Sequence, residues 1–144
     1  MSDVSPRRAG GRLARGIACL AAGLAALSAS GCGTGPDRAQ AQEAVERFYA
    51  AVERRDGRTA CAQLSPDVRA GLAEDEAGRC ERAVLGLALR GRRAEAVRVY
   101  ATSAQVVLAG GDTVFLGDGR QGWRIQAAGC RPRGGGPYDC EAEA

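Results

Sequence analysis

Cysteine is the residue type that most constrains how this 144-residue chain can fold. Six cysteines are present, at Cys19, Cys32, Cys61, Cys80, Cys130 and Cys140. A small domain has only a modest core, and a disulfide stabilises such a domain by about 2–4 kcal/mol. Because none of the spacings forms a Cys-x-x-Cys pair, the pattern favours structural disulfides over a redox dithiol or a four-cysteine zinc site.

The first 31 residues are typical of an export signal. Arginines outnumber acidic residues at the start, and an uncharged, mostly apolar run extends from Gly16 to Ala29. A membrane-spanning helix needs about 20 apolar residues, so this run is short for a permanent span, and an uncleaved anchor is the less favoured alternative. The pair Arg7-Arg8 is not followed by the bulky apolar residues of a twin-arginine signal, which favours ordinary secretion.

Small residues lead up to Cys32, with Ser30 and Gly31 immediately before it. This stretch resembles the lipobox of bacterial lipoproteins, in which the cysteine thiol receives a diacylglyceryl group and the chain is cut just before that cysteine. Ala29 stands where the family usually has leucine. The resemblance implies a signal peptide over residues 1–31, a lipidated cysteine with a short tether over residues 32–38, and anchoring at the outer face of the cell membrane. The alternative is a cut by the general signal peptidase, with Cys32 in a disulfide.

The number of cysteines supports lipidation of Cys32. A cut before Cys32 leaves an odd number of cysteines, which needs an explanation in an exported protein. Lipidation of Cys32 leaves four, and these can form two disulfides in three connectivities. Proximity in the sequence favours Cys61–Cys80, between two neighbouring helices, and Cys130–Cys140, around the last loop.

Charge and composition exclude several classes of function. Beyond residue 31 the arginines and the acidic residues balance, so the folded part lacks the basic surface that nucleic-acid binding requires. The chain has no histidine, which removes Ser–His and Cys–His catalysis and zinc sites built on imidazole. The cluster Glu74-Asp75-Glu76 lacks the alternating oxygen ligands of a calcium loop. We therefore expect no catalytic residue, no metal and no cofactor.

Apolar residues at helical spacing predict helices in the first half of the folded domain, which we place at residues 39–144. The first helix follows a cap at Asp37 and ends with Gly57 as its C-terminal cap. A short helical piece comes next, and Ser65-Pro66 has the N-cap and first-turn residues of another helix. A further helix is predicted from Ala77 to Leu89.

After Ala94 the helical period gives way to alternation of apolar and polar residues, which predicts strands. Gly110-Gly111 has the residues of a tight hairpin turn, and a glycine-rich turn from Gly117 to Gly122 separates two later strands. Asp112 follows the first turn and Asp118 lies in the second, so neither is expected to serve as an interior base.

Helices followed by an antiparallel meander indicate an α+β domain, with helices packed on a curved sheet of three to five strands. The segments AVERFYAAVERRDGRTACAQLSP, RVYATSAQVVLAGGDTVFLGDGRQGWRIQAAGCRP and PYDCE resemble a group of small actinobacterial lipoproteins. The domain of those proteins is similar to the cone-shaped nuclear-transport-factor-2-like fold, which usually encloses a pocket between its long helix and its sheet. The resemblance implies a possible pocket with Tyr49, Tyr100 and Trp123 as candidate residues, and core packing is the alternative role for the two tyrosines.

The sequence leaves three functions open. The leading hypothesis is a non-catalytic, membrane-tethered binding or interaction domain, because export and anchoring signals precede a domain without a catalytic set. Its candidate partners are an envelope protein or a small apolar ligand. The first alternative is an enzyme of the isomerase or cyclase type that uses Tyr49, Tyr100 or an acidic residue. The second is a carrier of a small apolar metabolite.

Overall fold

The structure, a computed structural model, describes residues 35–75 and 79–144. The predicted signal peptide, Cys32 and the start of the tether lie outside the described residues. The helical elements are α1 (Gly35–Glu53), α2 (Gly57–Gln63), α3 (Pro66–Asp75), α4 (Cys80–Ala83) and a 3-10 turn (Val84–Gly86). No helix in these two ranges is long and apolar enough to cross a membrane.

Five antiparallel strands form one open sheet, in which each strand pairs with its neighbours along the chain. They are β1 (Ala94–Tyr100), β2 (Ser103–Leu108), β3 (Thr113–Gly119), β4 (Gly122–Cys130) and β5 (Ala142–Glu143). The sequence predicts an α+β domain in which the helices precede the strands, and this arrangement is confirmed. The turn at Gly110 and Gly111 is also present, with positive φ angles of 113° and 101° that glycine adopts without strain.

The core lies between α1 and one face of the sheet. Helix α1 presents small and aromatic residues at a spacing of three and four, and its buried side chains are Ala41, Ala44, Val45, Phe48, Tyr49 and Ala51. The strands contribute alternate residues, and the largest fully buried ones include Val106, Leu108, Val114, Leu116 and Ile125. Since these side chains meet in one continuous cluster, the space between the helix and the sheet is filled.

The start of α3 is confirmed at the predicted place. Pro66 is the first helical residue, and the Ser65 hydroxyl accepts a hydrogen bond from the Val68 N–H over 3.3 Å. The start of α1 differs from the prediction, because the helix begins at Gly35 and Asp37 lies inside its first turn. A carboxylate in that turn is still favourable, since it faces the positive end of the helix dipole.

Gly57 has a different role from the predicted C-terminal cap. The left-handed residue after α1 is Arg55, with φ of 61°, and Gly57 is the first residue of α2. A Cβ atom on Gly57 would lie 2.0 Å from the Glu81 carbonyl oxygen, so glycine is needed for the close packing of α2 against α4.

The predicted helix from Ala77 to Leu89 is confirmed only in its middle part and is wrong at its C-terminal end. Within the described residues it shortens to α4 and the 3-10 turn, and the chain from Leu87 to Arg93 has no regular helix. This segment finds its hydrogen-bond partners on distant elements instead. The Ala88 N–H donates to a Glu141 carboxylate oxygen over 3.3 Å, and the Ala88 carbonyl accepts from Arg131 over 3.0 Å.

Two disulfides join the four cysteines of the described part. Cys61–Cys80 links α2 to α4, and Cys130–Cys140 links the end of β4 to the chain just before β5. These are the two pairings that proximity in the sequence favours. Each holds a short element that has few residues of its own to bury, namely α4 and β5.

We expect Gly57→Ala to lower the free energy of unfolding by about 2–3 kcal/mol, because the added methyl group meets backbone rather than a movable side chain. Urea unfolding of the full chain measures this change. Gly86→Ala is the matched control, since a Cβ there has no neighbour within 4 Å. Equal stabilities of the two variants would contradict the close packing of α2 on α4.

Candidate functional site

Asp112 lies in the interior, with 0% exposure, which overturns the expectation that it lies outside. Its partner across the sheet is decided by an irregularity in the pairing of β3 with β4. Thr113 pairs with Cys130, one residue further along β4 than a regular continuation from Phe115 would give. Because the register is shifted by this bulge, Asp112 stands opposite Arg131.

Gly129 allows the bulge to form. Its φ of 66° is in the left-handed region, which favours glycine. A Cβ atom at this position would also lie 2.7 Å from Glu141 Cγ and 2.9 Å from Leu89 Cδ2. The glycine therefore permits both the backbone conformation and the close approach of two side chains.

Three groups from distant parts of the chain surround the Asp112 carboxylate. The Tyr49 hydroxyl donates to Oδ2 over 3.3 Å, and the Arg90 backbone N–H donates to the same oxygen. Arg131 Nε lies 3.7 Å from Oδ1 and forms an ion pair with it. Oδ1 and this Nε have no hydrogen-bond partner in the described part of the chain, so the ion pair is their closest polar contact.

The Tyr49 phenol is held in its protonated form. Burial raises its pKa well above the ordinary value of 10.0, and the negative charge of Asp112 raises it further. A tyrosine with a raised pKa is a persistent hydrogen-bond donor and a poor proton donor or base near neutral pH. The Tyr49–Asp112 pair therefore acts as a structural contact within the core.

The three candidate pocket residues are not brought together. Tyr49 is buried in the core, in edge-to-face contact with Phe48. Tyr100 ends β1 and is 60% exposed, so it takes no part in an interior pocket. Trp123 is buried at the start of β4 and lines a recess at the surface.

The surface recesses of the described part include three near α1 and the β3–β4 hairpin. The Trp123 recess, of about 200 Å³, lies between α1 and the β3–β4 hairpin and is lined by Arg47, Gln63, Trp123 and Arg124 among others. The hairpin recess, of about 350 Å³, lies on the other side of the same hairpin and includes Arg120 and Arg124. The Tyr49 recess, of about 250 Å³, lies beside the end of α1 and is lined by Glu53 and Arg92, which form an ion pair.

The sequence did not identify Gln63 or Arg124 as residues that line a recess. Gln63 is the last residue of α2, where a single glutamine gives no recognisable signal. Arg124 is a polar residue between two buried ones in an alternating strand, which is the ordinary pattern of a strand. No group of three or more cysteine or acidic side chains within residues 35–75 and 79–144 is placed to hold a metal ion.

Comparisons with protein-family models, with curated proteins and with solved structures gave no significant match.

We expect Asp112→Asn to lower the free energy of unfolding by about 2–3 kcal/mol, because Arg131 loses its buried counter-charge and the Arg90 N–H loses a charged acceptor. The measurement is urea unfolding near neutral pH. Asp118→Asn is the control, as this carboxylate lies near the end of β3, the strand that follows Asp112, and is exposed; its effect should stay within about 0.5 kcal/mol. Similar losses for both variants would argue against the Asp112 network.

We also expect stability to fall at alkaline pH through Tyr49. Because its pKa is raised in the folded state, the stabilisation is complete below the ordinary value of 10.0 and is lost as the pH rises above it. Tyr49→Phe should remove this decline, which amounts to about 1.4 kcal/mol per pH unit for one proton. Urea unfolding on either side of pH 10 measures the slope, with Tyr138→Phe as the control at an exposed position. Identical slopes for all three proteins would contradict the burial of the Tyr49 phenol.

Proposed function

We propose that this chain is a lipoprotein anchored through Cys32 at the outer face of the cell membrane, and that its domain binds a partner or ligand without catalysing a reaction. The proposal has two parts, a location and a non-catalytic binding function. The lipobox resemblance and the cysteines support the location, and the packing of the core supports binding without catalysis.

The two disulfides are the observation that supports export. Disulfides persist in oxidising compartments outside the cytoplasm, and Cys61, Cys80, Cys130 and Cys140 are all paired. Cys32 is then the one cysteine after the apolar run that these pairs do not use. Lipidation accounts for it in the sequence context of small residues that precede it.

The filled space between α1 and the sheet carries the non-catalytic part of the proposal. We assign the domain to the nuclear-transport-factor-2-like class, and the order of helices and strands is compatible with that assignment. Enzymes of that class use a pocket between helix and sheet. In this chain Phe48, Val106 and Ile125 are fully buried in that position, so ligands are left with the surface recesses.

The two alternatives find less support in the same contacts. An isomerase or cyclase needs an ionisable side chain beside its substrate, whereas Tyr49 and Asp112 are bonded to each other inside the core. A carrier of an apolar metabolite needs an apolar cavity, whereas the hairpin recess, of about 350 Å³, is lined by Asp67, Arg120 and Gln126 beside several glycines.

Cys32→Ser should move the protein from the membrane fraction to the soluble extracytoplasmic fraction, because a serine hydroxyl cannot receive the diacylglyceryl thioether. Metabolic labelling with an alkyne-tagged fatty acid, followed by fractionation, measures both lipidation and location. Cys19→Ser is the matched control, since Cys19 lies in the segment that is expected to be removed. That variant should be labelled and anchored like the unchanged protein.

Label on the Cys32→Ser protein, or loss of label from the Cys19→Ser protein, would contradict anchoring through Cys32. Capture of bound envelope components after crosslinking in cells tests the mode of action. The anchored protein should capture a component that the soluble variant captures less. Equal capture and equal cellular function of the soluble variant would show that the anchor is irrelevant.

A further inference from the structure

The Trp123 recess combines a buried amide with an uncompensated positive charge. It lies where α1, the end of α2 and the start of β4 meet, and its volume is about 200 Å³. Gln63 forms part of its wall and is only 8% exposed. Within the described residues, the Gln63 side chain makes no hydrogen bond to another protein group, and its amide atoms are not among the fully buried side-chain atoms that lack a partner. The amide is therefore open to the recess that it lines, where a ligand can supply a hydrogen-bond partner.

Charges around the recess leave one cation without a counter-ion. Arg47 is paired with Glu43 one helical turn away on α1, so these two lining residues neutralise each other. Arg124 donates one hydrogen bond to the neighbouring Trp123 carbonyl over 2.9 Å, and no carboxylate of the described part lies within ion-pair distance of it. The recess therefore carries a net positive charge.

We propose that the Trp123 recess binds a carboxylate group, held by the Arg124 guanidinium and the Gln63 amide. This inference rests on the proposed binding function and names the ligand class. A guanidinium presents two parallel N–H donors that match the two oxygens of a carboxylate, and the amide NH₂ adds another donor. One water occupies about 30 Å³ of liquid, so the recess accepts a group of only a few heavy atoms, such as a small acid or the end of a peptide.

The single tryptophan of the chain provides the readout, because it lines this recess. The full-length protein in detergent is titrated with N-acetylalanine and, separately, with N-acetylalanine amide, while Trp123 fluorescence is recorded. The two probes have nearly the same shape and differ in charge. We expect saturable binding of the acid and at least about tenfold weaker binding of the amide, as expected for loss of a charge-assisted hydrogen bond.

Arg124 lines both recesses beside the β3–β4 hairpin, so the variants that separate the two recesses are those at Gln63 and Arg120, each of which lines only one. Arg124→Gln and Gln63→Leu should each weaken binding of N-acetylalanine by about tenfold or more. Arg120→Gln is the matched control, because Arg120 lines the hairpin recess and is not part of the Trp123 recess. Urea unfolding of each variant shows that it is folded before titration.

The proposal fails if the amide binds as tightly as the acid, if Arg120→Gln weakens binding as much as Arg124→Gln, or if neither probe changes the fluorescence. Inorganic phosphate is the third probe. Phosphate binding as tight as that of the acid would also overturn the carboxylate assignment, since the recess would then respond to charge alone. Failure of any of these tests, with anchoring through Cys32 intact, would reject the ligand class and leave the tethered binding domain standing.

Discussion

The rest of the domain depends on the interactions of one buried carboxylate, that of Asp112. A carboxylate without solvent exposure is costly unless donors and a counter-charge surround it. Here the Tyr49 hydroxyl comes from α1, the Arg90 N–H comes from the irregular segment before β1, and Arg131 follows β4. One side chain thus contacts the long helix, the irregular segment before β1 and the residue that follows β4.

The same contacts limit what the core can do. Burial raises the pKa of Tyr49, which keeps the phenol protonated and its hydrogen bond to Asp112 intact. The apolar side chains around Tyr49 belong to one continuous core cluster. Polar groups with unused bonding capacity lie instead at the surface beside the β3–β4 hairpin, at Gln63 and Arg124. The polar groups of the core are hydrogen-bonded to each other, whereas those at the surface are available to a ligand. This difference supports the proposal of binding without catalysis.

Local patterns predicted the elements that depend on local physics. Alternation predicted the strands, paired glycines predicted the turn at Gly110–Gly111, and Ser65-Pro66 predicted the start of α3, because in each case the deciding residues are neighbours in the chain. Proximity also favoured the two disulfides that the structure contains.

Predictions failed where a distant partner decides the outcome. Residues 87–89 were predicted as the end of a helix, yet the chain from Leu87 to Arg93 bonds through its backbone to side chains of Asp112, Arg131 and Glu141. Asp112 was not expected to serve as an interior base because it follows a turn. Two register shifts between β3 and β4, one between Phe115 and Leu116 and one beside Gly129, bring Arg131 opposite it. A bulge of one residue leaves no mark on the alternating pattern other than a glycine, so the buried site could not be inferred from the sequence.

Hydrogen exchange at the Arg90 backbone amide tests the central contact most directly. Arg90 lies in an exposed, non-helical segment, where an amide without a partner exchanges rapidly. Donation to the buried Asp112 carboxylate predicts that this amide is protected to a degree close to that of the β2 and β3 amides, while the nearby Arg92 amide exchanges fast. Equally fast exchange of the Arg90 and Arg92 amides would contradict the account, because Asp112 would then not hold this segment to the core.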